Sequence, residues 1–199
     1  KEVSRRLVEE ALRCLKAVRR HLLRERIREV RLGLEVVRRD AIWGEDAAYV
    51  GRKEAERVDV EVIQDPASGR TIGLGLGSSA TEEAVVAGLE EAAKERGGLP
   101  LVLQTDRGGA YRGPKLAAYL EANRVVHVFS RPQTPTDNPR TERAIGSLRR
   151  ESGIEGGGRE VDLEAVREAF AAARQMLDEG RRLARHGYRR AKEVDAELV

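Results

Sequence analysis

The sequence predicts an α/β fold in which three strands come first and later strands alternate with helices, in the order β-β-β-α-β-α-β-α. Three observations predict it. "RVDVEVIQD" alternates Val58, Val60 and Val62 with polar residues, the period of a strand. "SSATEEAVVAGLEEAAKERGG" surrounds a helical apolar pattern with a hydroxyl cap, early acids and a closing glycine pair. "LPLVLQTD" and "RVVHVF" are short apolar runs of the buried type, each followed by a helix-length segment, so their strands return parallel to the sheet.

The elements follow in order. Residues 2–39 read as helix, with Val3, Leu7, Ala11, Leu15, Val18 and Leu22 at three- and four-residue spacing and a possible break at Gly33. This arm, taken as residues 1–40, holds 13 Lys/Arg against 7 Asp/Glu. A basic arm beside an acid-bearing core points to a polyanionic partner such as DNA, although a solvated helix face reads the same way. "AIWGEDAAYVG" is a first strand and "RVDVEVIQD" a second; "PASG" turns into a third, "RTIGLGLG". After the capped helix and the strand "LPLVLQTD", Pro114 opens a helix, "RVVHVF" is the fifth strand, and a Pro-rich loop leads to a helix beginning near Pro139. The core is expected over 41–155. A glycine linker, "GIEGGGRE", and two helices broken at Gly180 complete the region 156–199.

Composition excludes several classes. The chain has 199 residues, 36% of them charged and 40% hydrophobic, with a net charge of +3, which is globular rather than disordered. Its one cysteine, Cys14, allows no internal disulfide, and His21, His127 and His186 lie at no zinc-binding spacing. No apolar run approaches the length of a membrane span, so no membrane partner and a cytoplasmic location are expected. A sequence opening on Lys1 is expected to be part of a longer chain.

Three acids stand out. Asp46 lies within the first strand, Asp106 ends the fourth, and Glu142 sits in the first turn of the helix after the fifth. With the first and fourth strands adjacent at the centre of the sheet, the three carboxylates converge. Like charges gathered in this way repel unless a cation compensates them, and a pair of Mg²⁺ ions suits an all-oxygen donor set. Two such ions can clamp the attacking and leaving oxygens of an in-line phosphoryl displacement. Gly108 and Gly109 let backbone approach a phosphate, Asp137 or Asn138 can cap the helix, and Arg140 and Arg143 favour an anion near its start. Arg149, seven residues beyond Glu142, shares its helix face, within reach of a DNA backbone there. Among rival acids, Asp59 is expected to face solvent and Asp65 to make the turn before "PASG". "GLGLGSS" is not a dinucleotide-binding motif, because its glycines lie within a strand. Trp43 is expected in the core, and His127 at the surface without a partner.

These residues resemble the catalytic core of DDE transposases and retroviral-type integrases, in particular bacterial insertion-sequence transposases of the integrase-core type. Trp43-x-x-Asp46 resembles the family's first motif, "VIQDPASGRTIG" its second and third strands, and "TDRGGAY" its Asp-Arg-Gly-Ser-x-Tyr motif. "SRPQTPTDNPRTERAIGSLRRE" resembles its Ser-Arg-Pro-x-x-Pro-x-Asp-Asn-x-x-x-Glu segment, and the 35 residues between Asp106 and Glu142 match its spacing. The resemblance covers roughly residues 41–151. It implies a ribonuclease-H-like mixed sheet and a transposase or integrase that cuts and joins DNA with two Mg²⁺ or Mn²⁺ ions held by Asp46, Asp106 and Glu142. It further implies that Arg107, Arg131, Asn138, Arg140, Arg143 and Arg149 contact DNA. The expected partners are transposon ends, target DNA and further copies of the chain, in a bacterial, nucleoid-associated setting. Two departures stand out: Ala48 occupies the place of a usual Thr, and the C-terminal Tyr-Asn…Arg-x-His segment is not recognisable. A non-catalytic DNA-binding descendant of such a core and a ribonuclease-H-like nuclease are the alternatives.

Overall fold

The structure is a computed structural model that describes residues 36–77, 81–130, 139–154 and 159–198. Residues 1–35 of the expected basic arm, Arg131, Asn138 and residues 155–158 of the glycine linker lie outside the described residues.

Five strands form one sheet in the order β3-β2-β1-β4-β5. β1 (Ile42–Lys53), β2 (Glu56–Gln64) and β3 (Thr71–Gly77) make an antiparallel meander. β4 (Val102–Thr105) pairs parallel with β1, and β5 (Val126–Phe129) parallel with β4. This is the mixed ribonuclease-H-like sheet that the sequence predicts. Glu54 and Ala55, both at positive φ (51° and 68°), turn β1 into β2 with neither glycine nor asparagine. The next turn is built by Asp65, whose carboxylate accepts from Ala67 N (3.1 Å), Ser68 N (3.2 Å) and Ser68 Oγ (2.7 Å).

Helices cover both faces. α1 (Glu82–Arg96) starts at Thr81, whose side chain accepts from Ala84 N, and ends at Gly97 in the left-handed conformation. With α2 (Pro114–Ala122) it buries Trp43, Ile63, Leu89, Leu103, Leu116 and Leu120 on one face. α3 (Pro139–Ser152) and α4 (Leu163–Gln175) cover the other, burying Val58, Val60, Val62, Leu148, Val166 and Phe170. Each such side chain contributes roughly 1.5–3 kcal/mol through burial. The strand alternation of β2 therefore does not lead to water, since both of its faces are covered. Asp59, expected to face solvent, is 4% exposed and takes the Arg57 guanidinium at 2.7 and 2.9 Å.

The C-terminal region differs from two helices with a break. α4 runs into a wider π-helical turn, Met176–Gly180, and a short hairpin of β6 (Arg182–Leu183) and β7 (Arg189–Arg190) precedes α5 (Ala191–Glu197). Gly187, at φ 63°, permits the hairpin loop. α5 is tied to the main sheet domain by charge. Arg96, its side chain 3% exposed, reaches Asp195 (2.6 and 2.7 Å) and Asp40 (2.8 and 3.0 Å), and Asp40 accepts from Trp43 Nε1 (2.8 Å). Arg70 joins Asp195 (3.0 Å) to Glu95 (2.9 Å).

Asp178 is buried at the end of α4, accepting from Thr71 N at 3.3 Å, with Arg70 and Arg174 at 3.8 and 3.9 Å. Burial outweighs these partners and pushes its carboxyl up to about 6. The stability Asp178 contributes is therefore fully present below pH ~4 and lost as pH rises through ~6. Asp178→Asn should be more stable than the parent by about 1–3 kcal/mol at pH 8 and indistinguishable near pH 4, measured by urea unfolding at both values.

Candidate active site

Asp46 lies near the middle of β1, opposite Val62, and so on the α3 face of the sheet. The parallel pairing of Ile42, Trp43 and Gly44 with Val102, Leu103 and Gln104 sets its level. Asp46 lies two residues beyond the Gly44–Gln104 pair on β1, and Asp106 two residues beyond it in the other chain segment, one position past the end of β4. Asp106 follows the last residue of β4, and its Oδ1 accepts from Gly108 N at 2.7 Å. A Cβ at Gly108 would approach that oxygen to 3.0 Å, so the turn is shaped around the carboxylate. Glu142, exposed in the first turn of α3, completes the group.

Asp46 senses the other two acids. Asp46 is pushed up to about 6, first by burial and then by the negative charges of Asp106 and Glu142, against a lowering hydrogen bond from Ala47 N at 2.9 Å. Among the described residues, no three His, Cys, Asp or Glu side chains are drawn tightly enough together to hold a metal ion. The donor chemistry nevertheless fits a hard divalent cation: the three side chains offer carboxylate oxygens, and the charges of Asp106 and Glu142 raise Asp46.

Sequence reasoning missed two features of the surroundings. Thr105 Oγ1 donates to the Asp106 carbonyl (2.8 Å) and lies 2.9 Å from His127 Nε2. Its single proton being engaged, the hydroxyl accepts from a protonated Nε2. His127, expected to be surface-facing and alone, is therefore half-buried, partnered by Thr105 and stacked obliquely on Phe129 at 4.2 Å. Burial lowers its pKa, so it is neutral at pH 7. The second feature is Glu45, 0% exposed on the opposite face from Asp46, with no partner for either carboxylate oxygen among the described residues. Burial, then the charges of Glu61 and Asp46, raise its pKa well above the usual carboxylate range. The buried Tyr111 hydroxyl nearby is likewise unpartnered among the described residues.

The arginines expected at DNA divide by placement. Arg107 is exposed in the turn after Asp106, and Arg143 is exposed on α3. Arg140 donates to the Pro66 carbonyl. Arg149 is half-buried and donates to the Tyr49 carbonyl, beside the β-bulge where pairing skips from Tyr49 to Gly51. A cavity of about 660 Å³ lies elsewhere, along β3 and α4, floored by Val60, Leu74, Leu76 and Phe170.

Comparison with known proteins agrees with this fold. A family model for the integrase core domain matches residues 37–135, a stretch that includes Asp46 and Asp106 and stops before Glu142. No curated protein matches the sequence. Among solved structures, the chain resembles an integrase in a simian T-cell lymphotropic virus intasome bound to PP2A regulatory subunit B56 gamma. The TM-score is 0.67 at 17% identity, over 81% of this chain and 56% of that one, so this chain spans little more than half the viral one. It also resembles the HTLV-2 integrase catalytic core domain in complex with magnesium (TM-score 0.63, 14% identity, 81% and 99% covered). The catalytic core domain of BIV integrase gives 0.60 at 17% identity, with 79% and 95% covered. At these identities the structures share a fold with this chain, and the family model supplies the kinship. The chain carries an integrase core domain, matched over residues 37–135, on a ribonuclease-H-like fold.

Proposed function

We propose that the chain is a DNA polynucleotidyl transferase, a transposase or integrase that cuts and joins strands by in-line phosphoryl transfer. The observation that supports this reading is the parallel pairing of β1 with β4, which runs toward Asp46 and Asp106, with the charges of Asp106 and Glu142 near enough to act on Asp46. Asp46, Asp106 and Glu142 would hold two Mg²⁺ or Mn²⁺ ions, which when bound supply Lewis-acid neutralisation of charge at the scissile phosphodiester. The related HTLV-2 core is described in complex with magnesium. In the first step water displaces a 3′-hydroxyl from phosphorus; in the second that hydroxyl displaces another, one phosphodiester forming as one breaks. The second step conserves the number of phosphodiesters and needs no outside energy source. Asp46 is carried on β1 and Asp106 on the turn after β4, where Gly108 N donates to its Oδ1. The Thr105–His127 pair steadies the backbone at Asp106 from beneath. DNA ends and target DNA are the substrates, and a multimer that pairs two ends is the working form.

The test is incubation of the chain with a labelled duplex oligonucleotide and Mg²⁺ or Mn²⁺. Metal-dependent nicking and longer joined products are expected, and Glu142→Gln should lose both by about a hundredfold or more while still binding DNA. Nicking without joined products favours the plain nuclease. DNA binding with no product under either metal returns the chain to a non-catalytic binding protein.

A further inference from the structure

A second cleft, of about 500 Å³, opens beside α3. One wall is the helix itself, through Arg140, Arg143 and Ser147 at three- and four-residue steps. The other is the C-terminal hairpin, through Arg181, Arg182 and Arg185. At 100° per residue this flank of α3 differs from the one carrying Glu142, Ile145 and Arg149 over β1. Five guanidinium groups therefore meet one carboxylate, that of Asp178, which is already engaged by Thr71 N.

The bonds these arginines make set the cleft apart. Arg181 donates to Ser147 Oγ at 3.0 Å, Arg182 to the Tyr188 carbonyl at 3.1 Å, Arg185 to the Pro66 carbonyl at 3.0 Å, and Arg140 to the same carbonyl. These neutral oxygens orient the guanidinium planes without cancelling charge. Arg140, Arg181 and Arg182 have no carboxylate at ion-pair distance among the described residues. The 660 Å³ cavity is the internal contrast. There Arg70 meets Glu95, Arg174 meets Glu95, Arg167 meets Glu164 and Lys192 meets Glu179, so its cations are balanced. Gly69 makes room for the arrangement, since a Cβ there would overlap the Arg185 guanidinium. His186 reports the local potential: burial, then the charges of Arg185, Arg140 and Arg189, hold its pKa below the usual range.

We propose that this cleft is a second DNA site, gripping the phosphodiester backbone between the helix that carries Glu142 and the Arg181–Arg185 hairpin. The guanidinium forks of Arg140, Arg181 and Arg182, held by neutral acceptors and with no carboxylate at ion-pair distance among the described residues, match phosphate oxygens in geometry and in charge. The cleft reads no bases: it would position the duplex relative to the acids, with the affinity and salt dependence of backbone contacts. The inference rests on the reading of the chain as a DNA-acting protein, and its test separates the two.

The 199-residue chain is titrated against a fluorescent duplex in EDTA across a series of NaCl concentrations, with the chemistry silent. Arg181→Glu and Arg182→Glu, both at exposed positions, are compared with Arg167→Glu, an equal charge change in the balanced cavity; circular dichroism melts check folding. The expected result is a loss of about tenfold or more for the double cleft variant and a salt slope shallower by about one per arginine removed, with Arg167→Glu close to the parent. Cleft variants that bind no worse than Arg167→Glu, with unchanged slope, overturn the inference, and the transferase reading stands if the parent still joins strands. Lost affinity in the cleft variants of a parent that makes no product upholds the cleft and removes the transferase. A parent that binds no duplex at low salt overturns both. If inorganic phosphate raises the melting temperature through these arginines while the variants keep their DNA affinity, the cleft holds a free anion and the DNA assignment falls.

Discussion

Asp46→Asn is expected to remove DNA cutting and joining by about a thousandfold or more while leaving the metal-free protein at least as stable as its parent. The lost ligand accounts for the first effect: divalent-ion stabilisation of phosphoryl transfer amounts to several kcal/mol, and each 1.36 kcal/mol is a factor of ten. The second follows from the site's electrostatics. The folded chain raises the Asp46 carboxyl to about 6 through burial and the charges of Asp106 and Glu142. A group raised in this way contributes stability below its unfolded pKa and loses it as pH rises through the folded one. At pH 7.5 the parent therefore bears a strain that asparagine lacks, and the variant should melt no lower. Added Mg²⁺ or Mn²⁺ should raise the melting temperature of the parent and leave the variant unmoved. Product formation within tenfold of the parent, or an equal metal-induced shift in both proteins, would remove Asp46 from the proposed site.

Arg96→Met should cost about 3–5 kcal/mol and lower the melting temperature by roughly 10 °C or more. Arg96 is nearly buried and holds two carboxylates, Asp40 and Asp195, from opposite ends of the described chain. Burial alone would lower its pKa; the two acids more than offset that and hold the guanidinium charged. Methionine keeps much of the volume but removes the buried cation the two acids share, and the cost lies in that lost compensation. Asp40 still has Trp43 Nε1 and Asp195 still has Arg70, so the fold should survive in weakened form. The double variant Arg96→Met with Asp195→Asn should recover part of the loss, measured as a coupling in a mutant cycle. A melting temperature within 2 °C of the parent would show the network to be an ornament of the surface.

Much of the fold was legible because its signals were local. Alternating valines in β2, the Thr81 cap and Gly97 stop of α1, and Pro114 at the start of α2 each act within a few residues. The turn between β1 and β2 carried no such mark, because Glu54 and Ala55 adopt a conformation usually given to asparagine and glycine. Asp59 was misread because alternation reports which residues share a face, not whether that face is covered, and β2 is central and covered twice over. The C-terminal hairpin was hidden for a related reason. "RRLARHGYRR" is rich in helix formers, and only the docking of α5 through Asp195 favours two short strands over continued helix. At the site, the acids could be read from their spacing and family likeness. The Thr105–His127 pair and the orphaned Glu45 arise from tertiary placement and leave no pattern in one sequence.

The pairing of β1 with β4 has a consequence for how such a centre can vary. Asp46 and Asp106 are sixty positions apart in the chain, yet the strand segments that lead to them are paired directly, Ile42–Gly44 against Val102–Gln104. Loops between those strands can lengthen, shorten or drift in composition without disturbing that pairing, much as rungs keep a ladder's rails apart however far the rails extend. Glu142 has no such spacer: a helix packed on valines sets its distance, making it the adjustable jaw of the three.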